Sequence, residues 1–363
     1  MITLVGLSAC TETNLAPDRQ EKGRQVLFTV SPVKTTDTRA VTTQSFSTSQ
    51  TFGTTAFAID AGTTWKAATE GSATISTTGI TNKEISYQDG VWKAGQSYYW
   101  EDFEGKSLTF LSWSPYNLSS TGLTITDDHD FSYTGWTMQN TAGYGYTKDD
   151  DGNYIRNTED GSVDLLLAKS TDITENTDGG RVLTQLVHQL CNVKINARII
   201  DEREEWHIYK VALSGIYTKG NLLKAATINK SNSADDEPLY NTQIWGSQSD
   251  TLTYTYEKVI DLVYSENQTK TEIFPQTLML PQSVLKNSGH EPKVTIYYKD
   301  EHNAEKKLYG YLAPNSNSTL TAWLAGKSIT YSINISTQEY YIKFDADVDV
   351  WSDGSSTEIT VGN

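Results

Sequence analysis

The sequence predicts an all-β fold built as two tandem β-sandwich domains. Three observations carry that expectation. First, apolar and polar residues alternate over short segments: AFAID (56–60), SLTFLSW (107–113), NVKINARI (192–199), KVTIYY (293–298), SITYSINIS (328–336) and YYIKFDADVDVW (340–351). That is the period of a strand with one face in a core. Second, Asp-Gly pairs fall at 89–90, 151–152, 160–161, 178–179 and 353–354, and such pairs supply the positive φ of tight hairpins. Third, no stretch of more than about a dozen residues keeps a 3.6-residue apolar period. The chain has 363 residues, enough for two domains at about 150 residues each. Its 21 tyrosines and 9 tryptophans, with abundant Thr and Ser, suit a β-rich exported protein more than a helical cytosolic one.

From the N-terminus, MITLVGLSAC places small residues, Ser8 and Ala9, directly before Cys10. Leu7-Ser8-Ala9-Cys10 resembles the lipobox of bacterial lipoprotein precursors, in which a peptidase cuts before the cysteine and its thiol is acylated. Residues 1–10 are therefore expected to be a truncated lipoprotein signal. The apolar run Ile2–Leu7 is short and no basic residue precedes it, which implies a true start further upstream. Residues 11–24 are polar and read as a tether. QVLFTVSPV (25–33) is the first strand, with Val26, Phe28 and Val30 on one face and Pro32 ending it. KTTDTRAVTTQSFSTSQTFGTT (34–55) is low in complexity and reads as an extended loop with short edge strands. The polar run STDITENTDGGR (170–181) and the strand after it put the domain boundary near 185, giving an N-terminal sandwich over 25–185 and a C-terminal one over 186–363. Cys10 and Cys191 are the two cysteines. One lies in the targeting segment and the other in an apolar strand, so no disulfide is expected and Cys191 reads as inert packing.

Composition and motif content narrow the function classes. With 29 basic and 45 acidic side chains the net charge is −16, which argues against nucleic acid, whose phosphates need a basic footprint. It also argues against adhesion to anionic lipid by charge alone. No segment reaches the roughly 18 apolar residues of a spanning helix. His188 sits on an alternating strand and reads as a packed histidine, since the other four show no ligand spacing. TKDDDGNY (147–154) fails the calcium-loop test: with Gly152 at position six, positions one and twelve are Thr147 and Thr158. It reads as a hairpin tip. FDADVDV puts Asp345, Asp347 and Asp349 on one face of a strand, roughly 6.8 Å apart in succession. A glycosidase pair can have such a spacing, yet an apolar face in the core and a solvated acidic face at an edge explain it better. There is no GxSxG, HExxH, P-loop or CxxC, so neither an enzyme nor a metal or cofactor site is expected. Exposed Tyr and Trp side chains suit sugar stacking, but most are more simply sandwich-core and strand-pair residues.

Several segments together resemble the fimbrillin-like (Mfa-like) family, the type V pilus subunits of Bacteroides-type bacteria. In DGVWKAGQSYYWEDFEGKSLTFLSWSP (89–115) the matching residues are Gly90, Trp92, Tyr99-Trp100, Leu108, Phe110, Trp113 and Pro115. VDLLLAKS (163–170), LVHQLCNVKI, LPQS (280–283) and WLAGKSITYSINI (323–335) follow in the family's order. Leu186 stands where the family usually has Phe, and Ile329 replaces the first Tyr of the last motif. The chain closes on a strand ending at Trp351, as the family does.

The resemblance implies two transthyretin-like sandwiches, lipoprotein export to the outer membrane through acylated Cys10, and assembly into surface fimbriae with an adhesive role. It further implies that an Arg-specific maturation protease cuts between Arg39 and Ala40. The first strand, with Val26, Phe28 and Val30, then leaves, and a strand from another fimbrial subunit fills the groove by β-strand addition. The C-terminal segment is the expected donor. Asp250-Thr251-Leu252 resembles the O-glycosylation acceptor of these bacteria, at Thr251. The alternative is a surface-anchored lipoprotein, a tip adhesin or anchor subunit, whose partner is a host glycan or host protein.

Overall fold

The computed structural model describes residues 23–32, 46–138, 146–148, 154–156, 164–200, 205–225, 244–264, 269–300, 302–336 and 342–350. The first sheet is built on strand Phe52–Asp60, whose residues 52 to 59 are all buried. Burial on both faces is the mark of a central strand. One edge pairs antiparallel with Lys106–Ser114, from Gly53↔Trp113 to Asp60↔Lys106. The other pairs with Lys83–Gln88 and with the short strand Ser76–Thr77. From Lys83–Gln88 the sheet runs through Val91–Ala94, Leu27–Pro32, Arg181–His188 and Leu166–Ile173 back to Lys106–Ser114. Seven strands thus close a ring.

The end of the stretch read as loop, Phe52 to Thr55, is in fact the start of that central strand. Its polar letters hid this. Thr54 is buried because its Oγ1 lies 2.9 Å from Ser112 Oγ, which removes the cost of burying a hydroxyl. Gly53 is there because the Trp113 ring lies on it: a Cβ would stand 2.2 Å from that ring. The Asp89-Gly90 turn, with φ of 54° and 84°, joins Lys83–Gln88 to Val91–Ala94 as a two-residue hairpin. Tyr146–Lys148 and Tyr154–Arg156 pair as a second hairpin. The tip between them lies outside the described residues.

Strand Arg181–His188 runs through position 185 and stays in the ring. The chain crosses over at Gln189-Leu190 into Cys191–Ile199, which begins a four-stranded sheet ordered Thr271–Met279, Cys191–Ile199, Lys327–Ile335, Ile342–Val350. The facing sheet is ordered Glu305–Tyr311, Lys293–Lys299, Glu205–Lys224, Phe131–Thr137, Leu123–Ile125. Ile244–Tyr256 and Ile260–Val263 also pair with the long central strand Glu205–Lys224. Between the two sheets lies a core that includes Val193, Ile195, Trp206, Ile208, Ile296, Trp323 and Tyr331. Cys191 is fully buried there, and its Sγ donates to the Met279 carbonyl at 3.3 Å.

The two halves share structure. The hairpin Leu123–Ile125/Phe131–Thr137 comes from the first half but joins the second-half sheet, with Tyr133 opposite Leu222 and Thr137 opposite Lys219. A middle core follows, in which Phe57, Leu111, Trp113 and Leu167 from the outside of the ring meet Tyr133, Trp136, Leu222 and Leu280.

Candidate functional site

Leading strand Leu27–Pro32 is a full member of the ring. It pairs parallel with Arg181–His188, from Leu27↔Arg181 to Pro32↔Leu186. On its other side it meets Val91–Ala94 at one antiparallel residue pair, Phe28↔Trp92. Just upstream, the Val26 amide donates to the Tyr98 carbonyl and the Trp100 amide to the Arg24 carbonyl, each at 2.9 Å. The segment is therefore held along its whole length on one side and at few points on the other.

Its side chains plug the ring. Val26 and Phe28 are 4% and 3% exposed, and Val30 is partly buried against the same core. The Phe28 ring stands edge-on to Phe52 at 5.7 Å and to Phe110 at 5.6 Å, a favoured aromatic geometry. Thr29 between them is exposed. Polar ties fix the entry: the Arg24 amide donates to Glu101 Oε1 and its Nη1 to the Glu175 carbonyl, both at 3.0 Å. The aromatics of segment 89–115 serve this seam. Trp100 Nε1 donates to the Gly180 carbonyl at 2.9 Å, beside the start of strand Arg181–His188, and Trp92 packs on Phe52 at 5.8 Å.

The geometry permits one chemically simple event. Taking out this strand would leave the edge of Arg181–His188 unpaired and open an apolar slot lined by Phe52, Phe110 and Trp92. A vacant edge above an apolar floor is a template for an extended peptide with alternating apolar side chains.

Of the other sequence candidates, those within the described residues lie away from this seam. Cys10, Arg39 and Ala40 lie outside the described residues. Thr251 is exposed on strand Ile244–Tyr256, opposite Tyr217, next to Asp250, whose φ is 57°. His188 Nδ1 contacts Asp164 Oδ2, a pairing within the ring. Asp345, Asp347 and Asp349 fall on strand Ile342–Val350, in register with Ser332, Thr330 and Ser328, while Ala346 and Val348 pack on the core.

Two residues of the matched motifs have structural roles that the motifs alone did not show. Gln282 is buried, and its side-chain amide accepts from the Tyr217 amide at 2.8 Å and donates back to the Tyr217 carbonyl at 3.1 Å. It thus acts as a side-chain stand-in for a strand pair. Trp323 Nε1 donates to Tyr331 Oη at 2.9 Å inside the core. A polar residue within an otherwise apolar motif, as in LPQS, is the one signal that pointed there.

The sequence model of the fimbrillin-like family matches residues 38–351. Among solved structures, a fimbrial protein from Bacteroides vulgatus is similar at 15% identity and a TM-score of 0.53, covering 91% of this chain and 100% of that one. A candidate cell adhesion protein from Bacteroides uniformis is similar at 14% identity and a TM-score of 0.45, covering 90% and 99%. A tip fimbrial protein from Porphyromonas gingivalis, solved with a C-terminal truncation, is similar at 10% identity and a TM-score of 0.35, covering 83% and 95%. No protein of curated function matches in sequence. With its all-β sheets and a family match over most of its length, the chain belongs to the fimbrillin-like family.

Proposed function

We propose that this protein is a structural, non-enzymatic subunit of a cell-surface fimbrium, delivered as a lipoprotein and joined to its neighbours by exchange of the leading strand. The supporting observation is the placement of Phe28: it fills the ring core from a strand that a cut between Arg39 and Ala40 would sever from the rest of the chain. In this reading the ring and the C-terminal sheets are the two transthyretin-like domains. Cys10 carries the lipid that brings the precursor to the outer membrane. An Arg-specific protease cuts between Arg39 and Ala40, the strand bearing Val26, Phe28 and Val30 departs, and another subunit's C-terminal segment enters. Backbone hydrogen bonds supply the register, and alternate apolar side chains refill the slot. Thr251, exposed on its strand, is the proposed glycan acceptor.

A second reading keeps the same fold and export route but places the subunit at a tip or anchor, binding a host glycan or protein. The pocket described below favours it. The N-terminal residue of the chain recovered from cell surfaces separates the cases. Ala40 supports a matured, polymerising subunit, acylated Cys10 supports a membrane-held anchor, and a chain bearing neither overturns both.

A further inference from the structure

On the outside of the ring, away from Phe28, lies a pocket of about 480 Å³, within the roughly 300–1,000 Å³ of small-molecule sites. It opens where the ring meets the hairpin it lends to the second-half sheet. Its floor is apolar: Phe57 and Trp113 from the ring, Leu123 and Ile125 from the hairpin. Its rim carries Thr77 and Asn82 on one side and Asp127 and His129 on the other. Among the described residues, none of these four rim side chains makes a hydrogen bond within the chain. Thr77, Asn82 and Asp127 are exposed and His129 is half-buried, so their polar atoms are open to a ligand, and a few free polar groups around an apolar floor are the pattern of a small-molecule site.

One side of the rim is held by packing. The His129 ring lies 4.6 Å from Phe57 and 5.8 Å from Trp65. Burial and the nearby Lys169 lower its pKa below the ordinary histidine value, which keeps the imidazole neutral, one nitrogen donating and one accepting.

The charges select the ligand class. Asp127 is flanked by Asp128 and followed by Asp130 in the same turn, so carboxylates outnumber the one cation beside His129, Lys169, and anions are disfavoured there. Neutral hydroxyls, in contrast, suit a carboxylate acceptor, a carboxamide and an imidazole together, and a pyranose ring also offers an apolar face to the floor. We infer that this pocket binds an uncharged pyranose unit of a glycan. The inference deepens the adhesive part of the proposed function and uses no step of strand exchange, since Phe28 points into the ring and Phe57 out of it.

The test is titration of the full, uncut chain, ¹⁵N-labelled, with the methyl glycosides of glucose, galactose and mannose, and with glucuronate and glucosamine as charged comparisons. At least one neutral glycoside is expected to shift the amide signals of Asn82 and of residues 124–129 saturably. Asp127→Ala is expected to weaken binding about ten-fold or more, the loss of a charge-assisted hydrogen bond. Thr77→Trp, a change at an exposed rim position, is expected to block the mouth while leaving the fold intact. Silence from every neutral glycoside, preference for glucuronate or glucosamine, or binding unchanged in both variants would overturn the inference. A chain that ignores every sugar yet polymerises after cleavage loses this inference and keeps the fimbrial reading.

Discussion

Phe28→Ala is the sharpest test of whether the leading strand is part of the ring's core. The side chain is 3% exposed and touches Phe52 and Phe110 on two different strands of the ring. Truncating a buried phenylalanine costs about 3–5 kcal/mol, and the two edge-on contacts, at about 0.5–1.5 kcal/mol each, place this site in the upper half of that range. We therefore expect about 4 kcal/mol of destabilisation. Val30→Ala, at a partly buried position, should cost about 1 kcal/mol, and Thr29→Ala, at an exposed one, less than about 0.5 kcal/mol. Urea unfolding followed by tryptophan fluorescence reads all three, with Trp92 and Trp100 reporting beside the seam. A loss below about 1 kcal/mol for Phe28→Ala would mean that the ring core does not depend on this strand. The slot argument would then fail with it.

Three other outcomes follow from the same structure. Gly215→Ala should destabilise by about 1–3 kcal/mol, because φ there is +73° and a Cβ would stand 2.6 Å from the Glu291 carbonyl oxygen; denaturant titration checks it. The Asp300 carboxyl should titrate at about 2, held down chiefly by its hydrogen bond to Lys306. Because its folded pKa lies below the unfolded value near 3.8, the stabilising contribution is complete above pH 4 or so and is lost as pH falls toward about 2. Carboxyl NMR should show Lys306→Ala moving that titration upward. The Cys191 thiol, pushed up by complete burial, should resist a thiol reagent at pH 8 in the folded chain and react once urea unfolds it; rapid labelling of the native protein would contradict the packing described.

Strand-forming segments were legible wherever one face is polar. SITYSINIS and KVTIYY became Lys327–Ile335 and Lys293–Lys299 because alternation reports a half-buried sheet directly. The stretch from Phe52 to Thr55 was not legible, since threonines and a glycine look like a loop until Ser112 and Trp113 arrive from a distant strand to complete them. The 20-residue strand Glu205–Lys224 was hidden for a related reason. Register shifts against its partners break its alternation, and bulges of that kind depend on those partners rather than on local sequence. The leading strand was the part of the site most open to reading, through Val26, Phe28 and Val30. The pocket was the least, because Asn82, Trp113 and Asp127 meet only through sheet closure and the lent hairpin.

The account rests most heavily on the leading strand being removable and replaceable. The direct measurement is to treat the purified full chain with an Arg-specific protease, then follow its N-terminal residue and its assembly state on a denaturing gel without boiling. The account predicts a new terminus at Ala40 and a ladder of oligomers that a synthetic peptide spanning 25–33, added in excess, suppresses. A chain cut at Arg39 that loses its first strand and yet stays monomeric would contradict it.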